Sequence, residues 1–297
     1  MPTPTIPEHQ LSTGSRPAGA TTEQSAAENV QQMFDTLAPS YDRANHAISV
    51  GIDRYWWNST ARTFQSILAR PEAVALDLCC GTGDMTLALL KHRPRWVPHD
   101  RRGPIAPIVG LVTTPTTTDA SAPSVTTSSS RAGLNEPEPA PILAVDFSHQ
   151  MLSIGREKFR GHNILAIEAD ALHLPIPSNS VDLVTSAFGF RNLSNYAEGL
   201  AEIHRILRRG GQFGILECNQ PEGLLGATYN LYFKKILPIL GGLITGQPTA
   251  YNYLNASVER FPRPPRMLSL IREAGFTDAS WTSYTLGVVG LYRATKP

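Results

Sequence analysis

The chain contains only three cysteines, Cys79, Cys80 and Cys218, among 297 residues. They form no C-x-x-C pair and stand beside no histidines at zinc spacing. That excludes a disulfide framework and a metal site, and leaves reduced, mostly buried thiols. No segment reaches the ~18 consecutive apolar residues that a membrane span needs. Net charge is scarce too, at +1, so no global field draws the chain to a phosphate backbone, and no nucleic acid is expected as a partner. The opening "MPTPTIPEHQLSTGSRPAGATTEQSAAENV" lacks both the apolar stretch of a secretory signal and the arginines of a transit peptide. We expect a disordered polar tail over residues 1–28, order from about Asn29, and a cytoplasmic location.

What is present is a core. Apolar residues make up 41% of the chain, enough at this length for a packed enzyme domain. From Val30 to about Leu68 the pattern is helical, broken once at Pro39. Val74 to Cys80 is a strand and "DMTLALLKH" the helix after it. Residues 94–141 are dense in Pro, Ser and Thr with no apolar period, and they read as a disordered insertion within one domain spanning 29–297. After the insertion, strands "ILAVDF", "NILAIEAD", "SVDLVTSAFGF" and "GQFGILEC" alternate with helices "SHQMLSIGREKF", with Ser148 as N-cap, and "NYAEGLAEIHRILRRGG", closed by glycine. The chain ends in two β-runs joined at Leu286-Gly287. Near-continuous apolar strands alternating with helices predict an α/β fold. It is a Rossmann-like, seven-stranded, mostly parallel sheet with helices on both faces and a C-terminal antiparallel hairpin.

In such a sheet the ligand sits at the carboxyl ends of the strands. The stretch "ALDLCCGTGD" places Asp77, Gly81, Thr82 and Gly83 there. Thr86 stands where a dinucleotide fingerprint needs its third glycine, and no P-loop lysine follows. Asp146, ending the next strand, can accept two hydrogen bonds from a ribose diol. Asp170 ends the third, where it can pair with an adenine amino group while the Ala171 N–H meets a ring nitrogen. Asp77 lies close enough to the turn to meet a cationic amine. Three acids around one pocket fit S-adenosylmethionine better than a pyrophosphate. The competing reading, that each acid caps a helix, is good for any one of them and poor for all three.

Four segments, "LDLCCGTGD", "VDFSHQML", "EADALHLPIPSNSVDLV" and "FGFRN", together resemble the class I S-adenosylmethionine-dependent methyltransferases. Two more, "YDRANHAISVGIDRYW" and "RILRRGGQFGILECN", are similar to the two signatures of the ubiquinone/menaquinone biosynthesis C-methyltransferases. The resemblance implies cofactor contacts at Thr82, Asp146, Asp170 and Ala171. Two departures stand out: Cys79 occupies a usual glycine position, and Asp53 replaces the first signature's usual histidine.

The resemblance also implies methyl transfer to a carbon of a polyprenylated quinol, most simply demethylmenaquinol, with the methoxy-benzoquinol of ubiquinone synthesis as the alternative. A small-molecule O- or N-methyltransferase and a non-catalytic S-adenosylmethionine-binding scaffold remain open. Carbon methylation requires a stabilised phenolate, and Arg191 is the first candidate for its partner, with Asn192 as orienter. Tyr41 and His46 belong to an expected lid, with His46 a candidate general base. Glu217, ending the fifth strand, faces the same pocket. The apolar stretch Leu224–Gly246 is a candidate wall for a prenyl tail and a peripheral contact with the membrane surface. A homodimer is a further partner allowed by this reading.

Overall fold

The computed structural model describes residues 14–49, 51–94, 139–221 and 248–297. The insertion expected at 94–141, apart from its ends, and the apolar stretch Leu224–Gly246 lie outside the described residues.

Five strands pair in parallel: β1 (Ala75–Leu78), β2 (Ile142–Asp146), β3 (Ile164–Glu168), β4 (Val181–Ala187) and β5 (Leu207–Cys218). The last two, β6 (Thr277–Tyr284) and β7 (Val289–Thr295), form the terminal hairpin, and β7 pairs antiparallel with β5. The order is β3-β2-β1-β4-β5-β7-β6. Every residue of β1 is buried, as a central strand covered on both faces requires. Chain direction across the sheet reverses between β1 and β4, which opens the crevice where ligands of this fold class bind.

The helices are α1 (Glu23–Ser49), α2 (Asp53–Thr63), α3 (Gln65–Leu68), α4 (Asp84–Leu90), α5 (His149–Phe159), α6 (Tyr196–Ile206), α7 (Pro248–Arg260) and α8 (Pro264–Glu273). Ser148 caps α5 as expected, its hydroxyl accepting from the Met151 N–H at 3.2 Å. On one face of the sheet Leu200, Ile203, Met267 and Ile271 pack with Phe213. On the other, Ala61, Phe64 and Leu89 pack with Ala75 and Leu183.

Three boundaries differ from the sequence reading. First, order begins well before Asn29. Thr22 and Ser25 exchange side-chain hydrogen bonds with each other's backbone N–H at 3.0 and 3.1 Å, a reciprocal cap that starts α1 at Glu23. Upstream, the buried Ser15 donates its N–H to the Leu193 carbonyl at 2.7 Å. Second, α1 runs through Pro39, losing only the bond to the Asp35 carbonyl. The turn comes instead at Gly51, whose φ of +78° lies in the left-handed region. Third, α6 stops at Ile206 rather than at the glycines. Asn179 and Ser180 N–H groups take the Arg205 and Ile206 carbonyls at 3.0 and 2.8 Å. The Lys296 ammonium takes those of His204 and Leu207 at 2.7 and 2.9 Å. With its last carbonyls satisfied, the chain passes directly into β5.

Candidate active site

A cavity lies over the carboxyl ends of β1, β2 and β4, the place where open α/β sheets bind their ligands. Helix α1 roofs it. Ala27, Phe34 and Tyr41, seven residues apart along that helix, all line the space, because such spacing returns to one helical face. The roof is tied down along its length. The Gln31 amide donates to the Phe147 carbonyl at 2.7 Å and the Ser148 hydroxyl to Asp35 at 2.6 Å. Further along, Asp42 accepts from the Thr82 hydroxyl at 2.6 Å and pairs with the Lys158 ammonium at 2.8 Å.

Asp146 organises one end of the cavity. Its Oδ2 accepts from the Gly81 N–H at 2.7 Å and its Oδ1 from the Ser148 N–H at 2.9 Å. The carboxylate keeps acceptor capacity beyond these two bonds, so it can still accept from a diol hydroxyl. Burial pushes its pKa up to about 6, against the pull of the backbone N–H donors of Ser148, Gly81 and Phe147. Gly81, Asp170 and Ala171 line the same end. Asp170 is exposed, and its Oδ1 accepts from the Leu172 N–H at 2.9 Å.

The other residues of the turn are placed differently from expectation. Asp77 does not line the cavity. It is fully buried beneath the turn, with hydroxyls of Thr86 and Thr185 donating to its two oxygens at 2.7 and 2.9 Å. Burial raises its pKa to about 7. The Thr82 side chain faces the roof, bonded to Asp42, not the cavity. Gly83 is required by packing: its φ is +91°, and a Cβ there would sit 2.3 Å from the Phe159 ring. Cys79 holds a φ of +55°, a left-handed conformation costing roughly 1–2 kcal/mol for a side-chain-bearing residue. A glycine there, as in the methyltransferases this turn resembles, would avoid that cost. Gly189 makes room for the cysteine, since a Cβ at 189 would lie 2.3 Å from that of Cys79.

At the opposite end the walls are Tyr41, Phe188 and Asn192. Burial pushes the Tyr41 phenol up, partly offset by a hydrogen bond with Asn45 and by the Arg191 charge, so Tyr41 stays a proton donor at neutral pH. The Tyr253 hydroxyl donates to Asn192 Oδ1 at 3.1 Å. With its oxygen engaged, the Asn192 amide has its NH₂ left for a ligand oxygen. Tyr253 is itself fixed by the Ser15 hydroxyl at 2.7 Å.

Arg191 does not line the cavity. Its guanidinium lies in a buried ion pair with Glu217 at 2.9 Å and also donates to the Phe188 carbonyl and the Ser257 hydroxyl. Glu217 further accepts from the Arg191 N–H at 2.9 Å. Burial alone would lower the guanidinium pKa, but the Glu217 charge and hydrogen bond outweigh it and leave it raised. The expected phenolate partner is thus turned inward, because the equally buried Glu217 needs its charge matched. His46 also stands off the cavity wall. Its Nδ1 meets the Asp53 carboxylate at 2.7 Å and its ring lies edge-on to Trp57. The signature's missing histidine is therefore answered by a pair in which the imidazole sits on α1 and the acid on α2.

The donor set fits S-adenosylmethionine. Among the described residues lining the cavity are two carboxylates, Asp146 and Asp170, and no cationic side chain. Such a site favours a cationic ligand with hydroxyl groups and disfavours a pyrophosphate. Sequence reasoning missed Lys158, Tyr253 and Ser15. Each acts on the site through a neighbour, and only the Thr22/Ser25 cap hinted that the amino-terminal segment is ordered.

Comparisons agree with this geometry. Residues 21–296 match the model of the ubiE/COQ5 methyltransferase family. The chain is 35% identical over 278 residues to a demethylmenaquinone methyltransferase of Deinococcus radiodurans, covering 92% of this chain and 95% of that one. It is 35% identical over 268 residues to a demethylmenaquinone methyltransferase of Thermus thermophilus, covering 89% and 100%. Among solved structures, an SAM-dependent methyltransferase from Thermotoga maritima superposes with a TM-score of 0.54 at 15% identity, over 90% of this chain and 99% of that one. That last likeness supports the fold alone. The fold, the acid-lined cavity and the match over nearly the whole chain lead to one conclusion: the chain belongs to the ubiE/COQ5 methyltransferase family and is an S-adenosylmethionine-dependent methyltransferase.

Proposed function

We propose that this enzyme methylates a ring carbon of demethylmenaquinol, a naphthoquinol bearing an isoprenoid tail. The observation that carries the reading is the 35% identity, over about nine-tenths of the chain, to two relatives that bear the demethylmenaquinone methyltransferase name. The cavity supports it with two chemically distinct ends, one of acids and backbone N–H groups, the other aromatic with a single amide.

When bound, S-adenosylmethionine supplies a methyl group on a sulfonium. Asp146 and Gly81 orient the nucleoside portion, Asp170 and Ala171 its base. At the other end the Asn192 amide donates to the ring oxygen as charge develops there, a preorganised donor held by Tyr253. The raised Tyr41 phenol offers a second donor from the roof. Arg191 is a positioning residue: it anchors the Phe188 carbonyl and contributes positive charge beneath Tyr41. Phe34, Phe188 and Met151 line the cavity with apolar surface, which displaces water and strengthens these interactions. Orientation alone can lower the barrier by about 7–11 kcal/mol.

Contact with the membrane surface belongs to this reading, because an isoprenoid tail keeps its quinol in lipid. Among the described residues no helix is long and apolar enough to cross a membrane. The test is turnover by the purified chain of a short-tailed demethylmenaquinol. The expected product is one methylene heavier, with the new methyl on ring carbon. Turnover of the methoxy-benzoquinol in its place, or methylation at oxygen, would overturn the assignment.

A further inference from the structure

Among the described residues four large apolar side chains are exposed: Ile52, Tyr55, Leu165 and Leu286. Three of them meet at one corner. Ile52 immediately precedes α2 and Tyr55 lies in its first turn, 42% and 60% exposed, and Leu286 tips the β6–β7 turn at 73%. The two elements are joined there. The Trp56 indole N–H donates to the Thr285 hydroxyl at 2.8 Å, and the Tyr55 and Tyr284 rings pack edge-on with centroids 6.4 Å apart.

Backbone geometry and charge mark the same corner. Thr285 and Leu286 both adopt positive φ, +47° and +57°, where glycine or asparagine would be unstrained. Positive φ at successive central residues is ordinary hairpin-turn geometry; what sets this turn apart is that threonine and leucine occupy it and that the leucine is sent into water. The exposed Arg54 stands next to Tyr55, and the exposed Arg43 lies on α1 three residues before the His46 that pairs with Asp53. The two acids of this stretch are committed inward, Asp42 to Lys158 at 2.8 Å and Asp53 to His46 at 2.7 Å. The surface is therefore apolar, aromatic and basic at once. The corner also adjoins the cavity wall, since Trp56 packs on Phe188 with centroids 5.8 Å apart, and Phe188 lines the cavity.

We propose that this corner, Ile52, Arg54, Tyr55 and Leu286, docks on an anionic lipid surface and that the isoprenoid quinol enters past Phe188. Leucine and isoleucine dip into the acyl boundary, tyrosine sits at headgroup depth, and arginine meets lipid phosphate. The occupant is a bilayer surface rather than a second copy, because the basic rim would repel its own image. This deepens the substrate reading above and depends on its isoprenoid tail.

The experiment is flotation of the full chain with vesicles of phosphatidylcholine, alone and with about one-third phosphatidylglycerol. It is run for wild type, for Ile52→Gln/Leu286→Asn and for Arg54→Gln. Asparagine tolerates the left-handed turn, so folding is kept. Wild type should float with anionic vesicles and the double variant bind at least ~10-fold less, as expected for losing two buried aliphatic side chains. Arg54→Gln should lose binding only to anionic vesicles, and by about fivefold. The double variant should turn over short-tailed quinol within about twofold of wild type but lose turnover of long-tailed quinol in vesicles. Equal flotation of wild type and double variant, or failure of wild type to float, would overturn the proposal. So would a wild-type dimer that the double variant dissociates. If vesicle binding fails while short-tailed demethylmenaquinol is still methylated, the substrate reading survives; absence of turnover on any quinol sinks that reading instead.

Discussion

One end of the cavity presents Asp146, Gly81 and Ala171, all within three residues of the ends of neighbouring parallel strands. The other presents Tyr41, Phe188 and Asn192, held by the neighbouring Arg191 and by partners farther off in sequence: Tyr253, Ser15 and Glu217. The first end is a property of the sheet itself, since strand register alone sets Asp146 beside the turn. The second is assembled by helices and an amino-terminal segment around it. Binding and chemistry should therefore separate under mutation, and stability should belong mainly to the second end.

The largest expected effect tests that last point. Glu217→Ala leaves the Arg191 guanidinium buried without its counter-charge, and should cost ~3–5 kcal/mol in urea unfolding. A loss below about 1 kcal/mol would mean the pair is solvated in practice and the assembled end is not its dependant. Next, Asp146→Ala removes a charged acceptor from a diol and from the Gly81 N–H. Calorimetry should show S-adenosylmethionine bound at least ~100-fold more weakly, from two charge-assisted hydrogen bonds of about 1.5–3 kcal/mol each. The mirror image is Asn192→Ala, where kcat should fall on the order of 100-fold while cofactor affinity barely moves. Tyr253→Phe is a gentler version: kcat down about three- to tenfold through a freed Asn192 amide, with KM for S-adenosylmethionine unchanged. Parallel losses of affinity and turnover in both substrate-end variants would erase the distinction between the two ends.

The same contrast explains what could be read from the chain. The parallel sheet, its hairpin, the cavity-facing Asp146 and Asp170 and the Ser148 cap all follow from local patterns: apolar runs, an acid at a strand end, serine before a helix. Asp77 and Thr82 sit in the same motif, yet their side chains turn away. Period-two alternation sends Asp77 beneath the turn, while Thr82 finds Asp42 on α1, forty positions earlier. Arg191 was misdirected for a related reason. Its position in "FGFRN" identifies the loop, but its orientation is decided by Glu217, whose burial on β5 only the assembled sheet reveals. Tyr253 and Ser15 carry no motif, and their hydrogen bond spans 238 positions. Pattern reasoning has no access to contacts of that kind.

The central claim is that the buried carboxyl of Asp146 is the acceptor for the cofactor's diol. Below about 6 that acid is protonated and must lose its proton to accept the diol, so affinity should rise with pH and then level. Calorimetric titration of S-adenosylmethionine from about pH 5 to 8 should show Kd tightening about fivefold from pH 5 to 6 and about twofold more by pH 7, flat above, with the slope absent in Asp146→Asn. A wild-type affinity indifferent to pH, or the same slope in the asparagine variant, would contradict it.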